Sequence, residues 1–157
     1  MFKPPNIRPL KPSDLIKLSL ILERTALFPP DMLEEMASPF FSETNCSDLW
    51  LVCEQQGSLV GFSYCVHEKL TEGTWNVLAI AVLPEMQNQG LGGLLMEHIE
   101  QTLKRRHSTT LLVETSSLSE YEGARKFYES IGYEKEAVIR DFYAKDDHKI
   151  VFWKSLS

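Results

Sequence analysis

The stretch that decides the fold is LAIAVLPEMQNQGLGGLLMEHIEQTL, residues 78–103. An apolar run ends at Pro84, a short polar segment follows, and three glycines then stand within four residues before a helical pattern begins. Glycine is a poor helix former, so three glycines at the entrance to a helix reduce its stability. The pattern indicates either a tight turn with close packing or a site where a ligand approaches the backbone.

The composition is that of an ordinary globular chain. A length of 157 residues, with 43% hydrophobic and 24% charged residues, suits a single domain over residues 1–157. The net charge of −6 gives no overall field for binding nucleic acid. The three cysteines lack the spacing of a disulfide framework or a zinc site. No segment approaches membrane-spanning length and no signal core is visible, so we expect a cytoplasmic protein without metal.

Apolar periodicity predicts the order strand, two helices, three strands, helix, strand, helix, two strands. Ser13 is the expected N-cap of the first helix, and the second helix is expected to end before Pro39. The first of the three central strands turns into the second near Gln56-Gly57. The third, residues 73–83, is apolar at nearly every position, which indicates burial on both faces. The predicted class is α+β, a mixed α/β sheet layered by helices.

The glycine segment, residues 87–93, has the context of a phosphate site. It follows a buried strand and opens a helix, and the unpaired amides and positive dipole end of a helix N-terminus bind phosphate. A P-loop would require a lysine after the glycines, which is missing here. The dinucleotide fingerprint would require a glycine where Leu95 stands, which disfavours a nicotinamide-dependent oxidoreductase.

IAVLPEMQNQGLGGLLM, residues 80–96, and ARKFYESIGY, residues 124–133, are two segments that together resemble the GCN5-related N-acetyltransferase (GNAT) family. IAVLPEMQNQGLGGLLM, residues 80–96, resembles motif A, whose Gln/Arg-x-x-Gly-x-Gly/Ala pattern falls on Gln87, Gly90 and Gly92. ARKFYESIGY, residues 124–133, resembles the A-x-x-F-Y-x-x-x-G-[FY] segment of the same family. IRPLKPSD followed by a helix is also typical of the family, so the resemblance spans nearly the whole chain.

The resemblance implies an acyl-CoA N-acyltransferase fold and acetyl-CoA as co-substrate. The expected fold has a central, mostly antiparallel sheet with one parallel pair of strands that splay apart, flanked by helices. In such a fold the pantetheine enters between the splayed strands. The implied cofactor contacts are the backbone of Ile80, Ala81 and Val82 and, around the pyrophosphate, Gln87, Asn88, Gln89, Gly90, Leu91, Gly92 and Gly93.

The family resemblance also implies catalytic roles for Tyr128 and Glu114. Direct attack by an amine in a ternary complex needs a base, a stabiliser of the thioester oxygen and a proton donor for the thiolate. Tyr128 matches the family's tyrosine donor, although an inward tyrosine is more simply a packing residue. Glu114 resembles the glutamate of enzymes that acetylate ribosomal protein N-termini, although a structural carboxylate fits equally. Tyr121 stands where relatives often carry an asparagine that contacts the cofactor.

The acceptor is expected to be a primary amine, either a small cationic amine, an amino acid derivative or a peptide α-amine. Asp141 and Tyr143 lie near the expected acceptor end, and other segments supply acids for a cationic amine or apolar walls. These are Asp31, Glu34, Glu35, Glu43 and Asp48, and Phe28, Phe40, Phe41 and Trp75. A solvated helix face explains the acids equally simply. The alternative function is a non-catalytic acyl-CoA-binding sensor or regulatory module, and a homodimer stays open because relatives are often dimers.

Overall fold

A computed structural model describes residues 3–157 and confirms the predicted order of elements. The helices are α1 (Leu15–Thr25), α2 (Leu33–Ser42), α3 (Leu91–Arg105) and α4 (Glu122–Ser130). The strands are β1 (Asn6–Pro9), β2 (Leu49–Gln55), β3 (Ser58–His67), β4 (Thr74–Val82), β5 (Thr110–Ser116), β6 (Glu134–Ala144) and β7 (Asp147–Ser155). Each helix is preceded by a short 3₁₀ turn, and before α3 the glycine loop separates the turn from the helix. In chain order these turns are Pro12–Asp14, Pro30–Met32, Pro84–Met86 and Ser119–Tyr121.

The seven strands form one mostly antiparallel sheet in the order β1-β2-β3-β4-β5-β7-β6. The exception is the parallel pair of β4 and β5, which joins Thr74–Val77 to Thr110–Val113. β4 continues past this pairing to Val82, and β5 continues to Ser116. The mixed α+β class and the parallel pair expected from the sequence are confirmed.

The chain divides into two compact units, and β4 contributes to both. The first contains the chain up to Val66 together with Ala79–Gln101, and the second contains His67–Leu78 and Thr102–Ser157. The single domain over residues 1–157 stays a prediction. Among the described residues, no helix is long and apolar enough to cross a membrane.

The core of the first unit forms between its helices and strands. Leu18, Ile21 and Leu22 of α1 repeat at helical spacing and are fully or almost fully buried. They join buried residues from α2 and from β2, β3 and β4 in one hydrophobic cluster, which includes Leu33, Ala37, Trp50, Val52, Leu59, Phe62, Ala79 and Ala81. This cluster fixes the end of β4 from which the glycine loop departs.

The core of the second unit follows the alternation of β5. Leu111 and Val113 of β5 are fully buried because alternate residues of a strand share one face. Phe152 of the neighbouring β7 is also fully buried, and it contacts the ring of Tyr128 from α4. The strand and the helix that carry Glu114 and Tyr128 are therefore anchored by apolar packing.

Two helix boundaries differ from the sequence predictions. Ser13 lies inside the 3₁₀ turn Pro12–Asp14 rather than capping α1, and Asp14 precedes the helix. The Asp14 carboxylate is committed to the Lys11 amide at 2.7 Å and to Arg8 at 2.8 Å. α2 runs through Pro39 to Ser42, since its packing on the core outweighs the backbone hydrogen bond that proline removes.

The predicted turn of the β2–β3 hairpin is confirmed. Gln56 and Gly57 have φ values of 56° and 80°, so both central residues of the two-residue turn are left-handed. This combination matches the right-handed twist of the flanking strands, and glycine adopts it without a steric penalty.

Candidate functional site

The glycine loop connects the end of β4 to the start of α3 in the first unit. After the 3₁₀ turn Pro84–Met86, the chain reverses through Asn88 and Gly90, whose φ values are 63° and 82°. The Gly90 carbonyl accepts a hydrogen bond from the Leu94 amide at 3.0 Å, which begins the ladder of α3. Helix α3 thus begins at Leu91, directly after the loop, as the sequence predicted.

The Gln87 side chain ties this loop to the strand before it. Its Nε2 donates a hydrogen bond to the Val82 carbonyl oxygen at 3.0 Å. The next residue along, Leu83, donates its amide to the Val60 carbonyl at 2.8 Å. Two residues that the resemblance assigns to cofactor binding, Gln87 and Val82, are therefore brought together within the first unit.

The surroundings of Gly90 and Gly93 test whether these glycines serve close packing or the approach of a ligand to the backbone. A Cβ atom on either residue would meet no heavy atom within 4 Å. The left-handed φ of Gly90 favours glycine on conformational grounds, but Gly93 lies inside α3, where glycine is unfavourable. Close packing therefore does not explain Gly93. Open space at a helix N-terminus is what a bulky anion requires, and the first turn of α3 carries no acidic side chain of its own.

The predicted strand residues Ile80, Ala81 and Val82 lie beside a glycine of β3. A Cβ atom on Gly61 would be 2.8 Å from the Ala81 carbonyl oxygen and 3.2 Å from Val82 Cγ2. Gly61 therefore permits a backbone approach that no other residue allows. Gly61 is not among the predicted site residues, although a glycine inside an otherwise apolar strand is a signal of close backbone approach.

Tyr128 is buried on α4 in the second unit, with only 5% of its surface exposed. Its ring contacts those of Phe127, Tyr133 and Phe152 at centroid distances of 5.4, 6.3 and 5.5 Å. Burial raises the pKa of Tyr128 well above its usual range, and the nearby Tyr143 adds to the effect. The phenol is therefore protonated at neutral pH, as a proton donor must be before it acts.

Glu114 lies on β5 in the second unit and is held by two donors. Its Oε2 accepts a hydrogen bond from Asn76 Nδ2 at 3.0 Å and forms an ion pair with Lys149 Nζ at 2.6 Å. Tyr143 lies close enough that burial, together with the charges of Glu114 and Asp147, raises the pKa of Tyr143 to about 12. Asn76 and Lys149 could not be predicted from the sequence, because both contacts depend on strand register.

The residues named for the acceptor fall into separate groups. Asp31, Glu34 and Glu35 line a shallow open groove on the surface of the first unit. Phe28, Phe40 and Phe41 pack against the core of that unit. Trp75 is only 5% exposed in the second unit, where its ring faces His67 and Arg106, so it is not an exposed wall.

Asp141 is engaged in the β6–β7 hairpin. Its amide donates to His148 Nδ1 at 2.9 Å, and its carboxylate accepts the Asp146 amide at 2.8 Å. The described part of the chain contains no group of three or more His, Cys, Asp and Glu side chains arranged to hold a metal ion.

A model of the acetyltransferase (GNAT) domain family matches residues 46–135, more than half of the chain. The chain belongs to this family. A GNAT-family protein from Desulfovibrio desulfuricans has the same fold, with a TM-score of 0.90 and 26% identity over 98% of this chain and 100% of that one. The parallel β4–β5 pair, the glycine loop and the matched family model thus agree.

Two curated relatives act on different amines. The [ribosomal protein bS18]-alanine N-acetyltransferase of Escherichia coli strain K12 is 33% identical over 93 residues, 59% of this chain and 60% of the relative. The 5-NmdU N-acetyltransferase of Pseudomonas phage PaMx11 is 36% identical over 95 residues, 60% of this chain and 64% of the relative. The matches thus span less than two thirds of each relative's length. A Salmonella typhimurium fold neighbour, with a TM-score of 0.78 and 15% identity, was solved with acetyl-CoA.

Proposed function

We propose that this protein is an N-acetyltransferase that transfers the acetyl group of acetyl-CoA to a primary amine. The observation that carries the proposal is the open space at Gly93, a helical glycine that neither packing nor backbone conformation explains. Gly93 lies within residues 46–135, which the acetyltransferase (GNAT) family model matches, and this membership supports the proposal that the loop binds an acyl-CoA. A single domain, a cytoplasmic location and a homodimer belong to the same proposal.

In the first unit, the amides of residues 88–93 would hold the pyrophosphate of acetyl-CoA. Glycine at positions 90, 92 and 93 lets the anion approach the backbone, and the N-terminal dipole of α3 favours negative charge. The backbone of Ile80, Ala81 and Val82 would pair with the pantetheine amides. Gln87 supports both contacts, because its bond to Val82 fixes the loop against the strand.

In the second unit, Tyr128 and Glu114 would move protons. Acetyl-CoA supplies an activated acyl group with a thiolate as leaving group. Tyr128, which is protonated at neutral pH, would donate its proton as the thiolate departs. Glu114 would receive the proton that the attacking ammonium must lose. In the first unit, an amide N–H near Val82 is the proposed stabiliser of the thioester oxygen, which gains charge during attack.

The names of the relatives support a chemical class for the acceptor, an amine, rather than one particular compound. Both curated relatives are named for acetylating amines, one on the alanine of a ribosomal protein and one on 5-NmdU. The tail of this chain, residues 139–153, resembles that of the peptide N-terminal acetyltransferases. A peptide α-amine is therefore the first acceptor to test, and small cationic amines come second.

The alternative is a sensor that binds acyl-CoA without turnover. The ion pair between Glu114 and Lys149 favours this alternative, because the proposed base already holds a cation at 2.6 Å. An enzyme requires that an acceptor amine can still deliver its proton to the same carboxylate.

Thiol release from acetyl-CoA, measured against a panel of amines, tests the proposal. The panel contains peptides with free N-terminal alanine, a polyamine, an aminomethyl nucleoside and the same peptides with blocked N-termini. An N-acetyltransferase releases thiol with at least one primary amine and not with its blocked form. Tight binding of CoA without thiol release on any amine would favour the sensor.

A further inference from the structure

A polar cluster surrounds Glu114 on one face of the sheet in the second unit. Asn76 lies beside Leu112 in the parallel β4–β5 register, so it shares a face with Glu114, two residues further along β5. Lys149 pairs with Ser116 across the antiparallel β5–β7 register, which places it diagonal to Glu114 on that face. Three strands therefore deliver these side chains to one point.

The two donors orient the Glu114 carboxylate. Among the described residues, its hydrogen-bond and ion-pair partners both fall on Oε2, at 3.0 Å from Asn76 Nδ2 and 2.6 Å from Lys149 Nζ. Oε1 is thus the oxygen left to meet a substrate. Asn76 is itself anchored, since its Nδ2 also donates to Glu68 Oε1 at 3.0 Å and only 5% of the residue is exposed.

Lys149 is fixed from two sides. Its Nζ lies 4.2 Å from the ring centroid of Phe142 as well as 2.6 Å from the Glu114 carboxylate. The side chains of Lys149 and Glu114 are 15% and 13% exposed, so solvent screens this pair little. An ammonium held this close forms a charge-assisted hydrogen bond with Oε2 and restricts the orientation of the carboxylate.

Three further titratable groups within the described residues contact this cluster or lie near it: Tyr143, Glu68 and Asp147. Tyr143 of β6 stays neutral because burial, followed by nearby negative charges, raises its pKa to about 12. Glu68 reaches the cluster through Asn76, and Asp147 of β7 lies near Tyr143. Both are acidic, so among these groups Lys149 supplies the positive charge that contacts the Glu114 carboxylate.

We propose that Lys149 is a positioning residue whose ammonium holds Oε2 of Glu114 and leaves Oε1 turned outward, so that proton transfer to Glu114 depends on the charge of Lys149. The role of Lys149 in turnover rests on the proposed function. The effect of its charge on the Glu114 carboxylate does not depend on that function. The cation would be felt by the acceptor as well, because an ammonium approaching Glu114 meets the positive charge of Lys149.

The test compares the wild type with Lys149→Met, Lys149→Gln and Lys149→Arg. Lys149→Met removes the charge and keeps the length of the chain. Lys149→Gln keeps a donor for Oε2 without the charge, and Lys149→Arg keeps the charge. The ¹³C signal of the Glu114 carboxyl, identified by its loss in Glu114→Gln, is followed against pH in each protein, and the pH profile of kcat/KM is recorded alongside.

We expect the carboxyl signal to titrate at higher pH in Lys149→Met and Lys149→Gln, by about one pH unit or more, and near the wild-type pH in Lys149→Arg. The acid limb of the rate profile moves by the same amount in the same variants. An unchanged midpoint in both uncharged variants would overturn the proposal, and a shifted midpoint with an unmoved acid limb would overturn its link to turnover. A shifted midpoint with no turnover by the wild type would support the positioning role and refute the proposed function.

Discussion

The Gln87 amide donates a hydrogen bond to the Val82 carbonyl at 3.0 Å and so closes the glycine loop onto the end of β4. Because the side chain is exposed, Gln87→Ala should change the free energy of unfolding by less than about 1 kcal/mol. Loss of the hydrogen bond between Gln87 and Val82 should nevertheless weaken CoA binding roughly three- to tenfold, as measured by titration calorimetry. Gln101→Ala, which removes an exposed glutamine bonded within α3, should leave the affinity unchanged. Equal CoA affinities in both variants would show that the hydrogen bond between Gln87 and Val82 does not contribute to CoA binding.

Gly93→Ala should change stability and CoA binding in opposite directions. The added methyl meets open space, and alanine is favoured over glycine in a helix by up to about 1 kcal/mol. The variant should therefore unfold at higher denaturant concentration, while its CoA affinity falls by about tenfold because the methyl occupies the space of the pyrophosphate.

Gly123→Ala provides the matched control for Gly93→Ala. Gly123 is also a helical glycine, near the start of α4, with no atom within 4 Å of an added Cβ. Its replacement should raise stability without changing CoA affinity. If both variants bind CoA as tightly as the wild type, backbone conformation alone would explain the glycines of the loop.

Gly61→Ala should destabilise the first unit. The new Cβ would stand 2.8 Å from the Ala81 carbonyl oxygen, so β3 and β4 must separate. Such overpacking typically costs about 1–3 kcal/mol, which chemical denaturation can resolve. A variant as stable as the wild type would mean that the two strands can separate without strain.

Tyr128→Phe should lower kcat roughly 100-fold or more while leaving the KM for acetyl-CoA nearly unchanged. The ring contacts with Tyr133 and Phe152 are kept, so the loss reports the hydroxyl alone. Tyr133→Phe, at the neighbouring buried tyrosine, should retain turnover. Similar kcat values for Tyr128→Phe and the wild type would leave Tyr128 with a packing role.

Asp14 should make stability depend on pH. The hydrogen bond from Arg8 lowers the pKa of Asp14 below its ordinary value of 3.8. A carboxyl group whose pKa is lower in the folded state contributes stability above its unfolded pKa of about 3.9, and this stability is lost as the pH falls through the lower, folded value.

The difference in unfolding free energy between wild type and Asp14→Asn should therefore be about 2 kcal/mol at neutral pH and should shrink below about pH 4. Chemical denaturation across this range measures it. A difference that does not depend on pH would assign the effect to packing instead.

The parts predicted correctly from sequence are those encoded locally. The run of apolar residues in β4 and the glycines before α3 lie within one stretch of chain, and so do the turn at Gln56-Gly57 and the helix that carries Tyr128. Local chemistry dictates each of them through glycine conformation, periodicity and turn preference. The order of the elements followed from the same signals.

The contacts of Glu114 could not be predicted in this way. Its proximity to Lys149 depends on which residues of β5 and β7 are paired, and a shift of one residue would move Lys149 to the other face. Pro39 was misjudged for a related reason, since packing of α2 on the core outweighs the local preference of proline to end a helix.

The measurement that tests the central claim most directly is the mass of amine acceptors after incubation with acetyl-CoA and the wild-type protein or Tyr128→Phe. The account predicts that a primary amine, first of all a peptide with a free N-terminal alanine, gains the mass of one acetyl group with the wild type. It predicts a strongly reduced gain with Tyr128→Phe. Unmodified acceptors across the whole panel, with CoA bound tightly by the same protein, would contradict it.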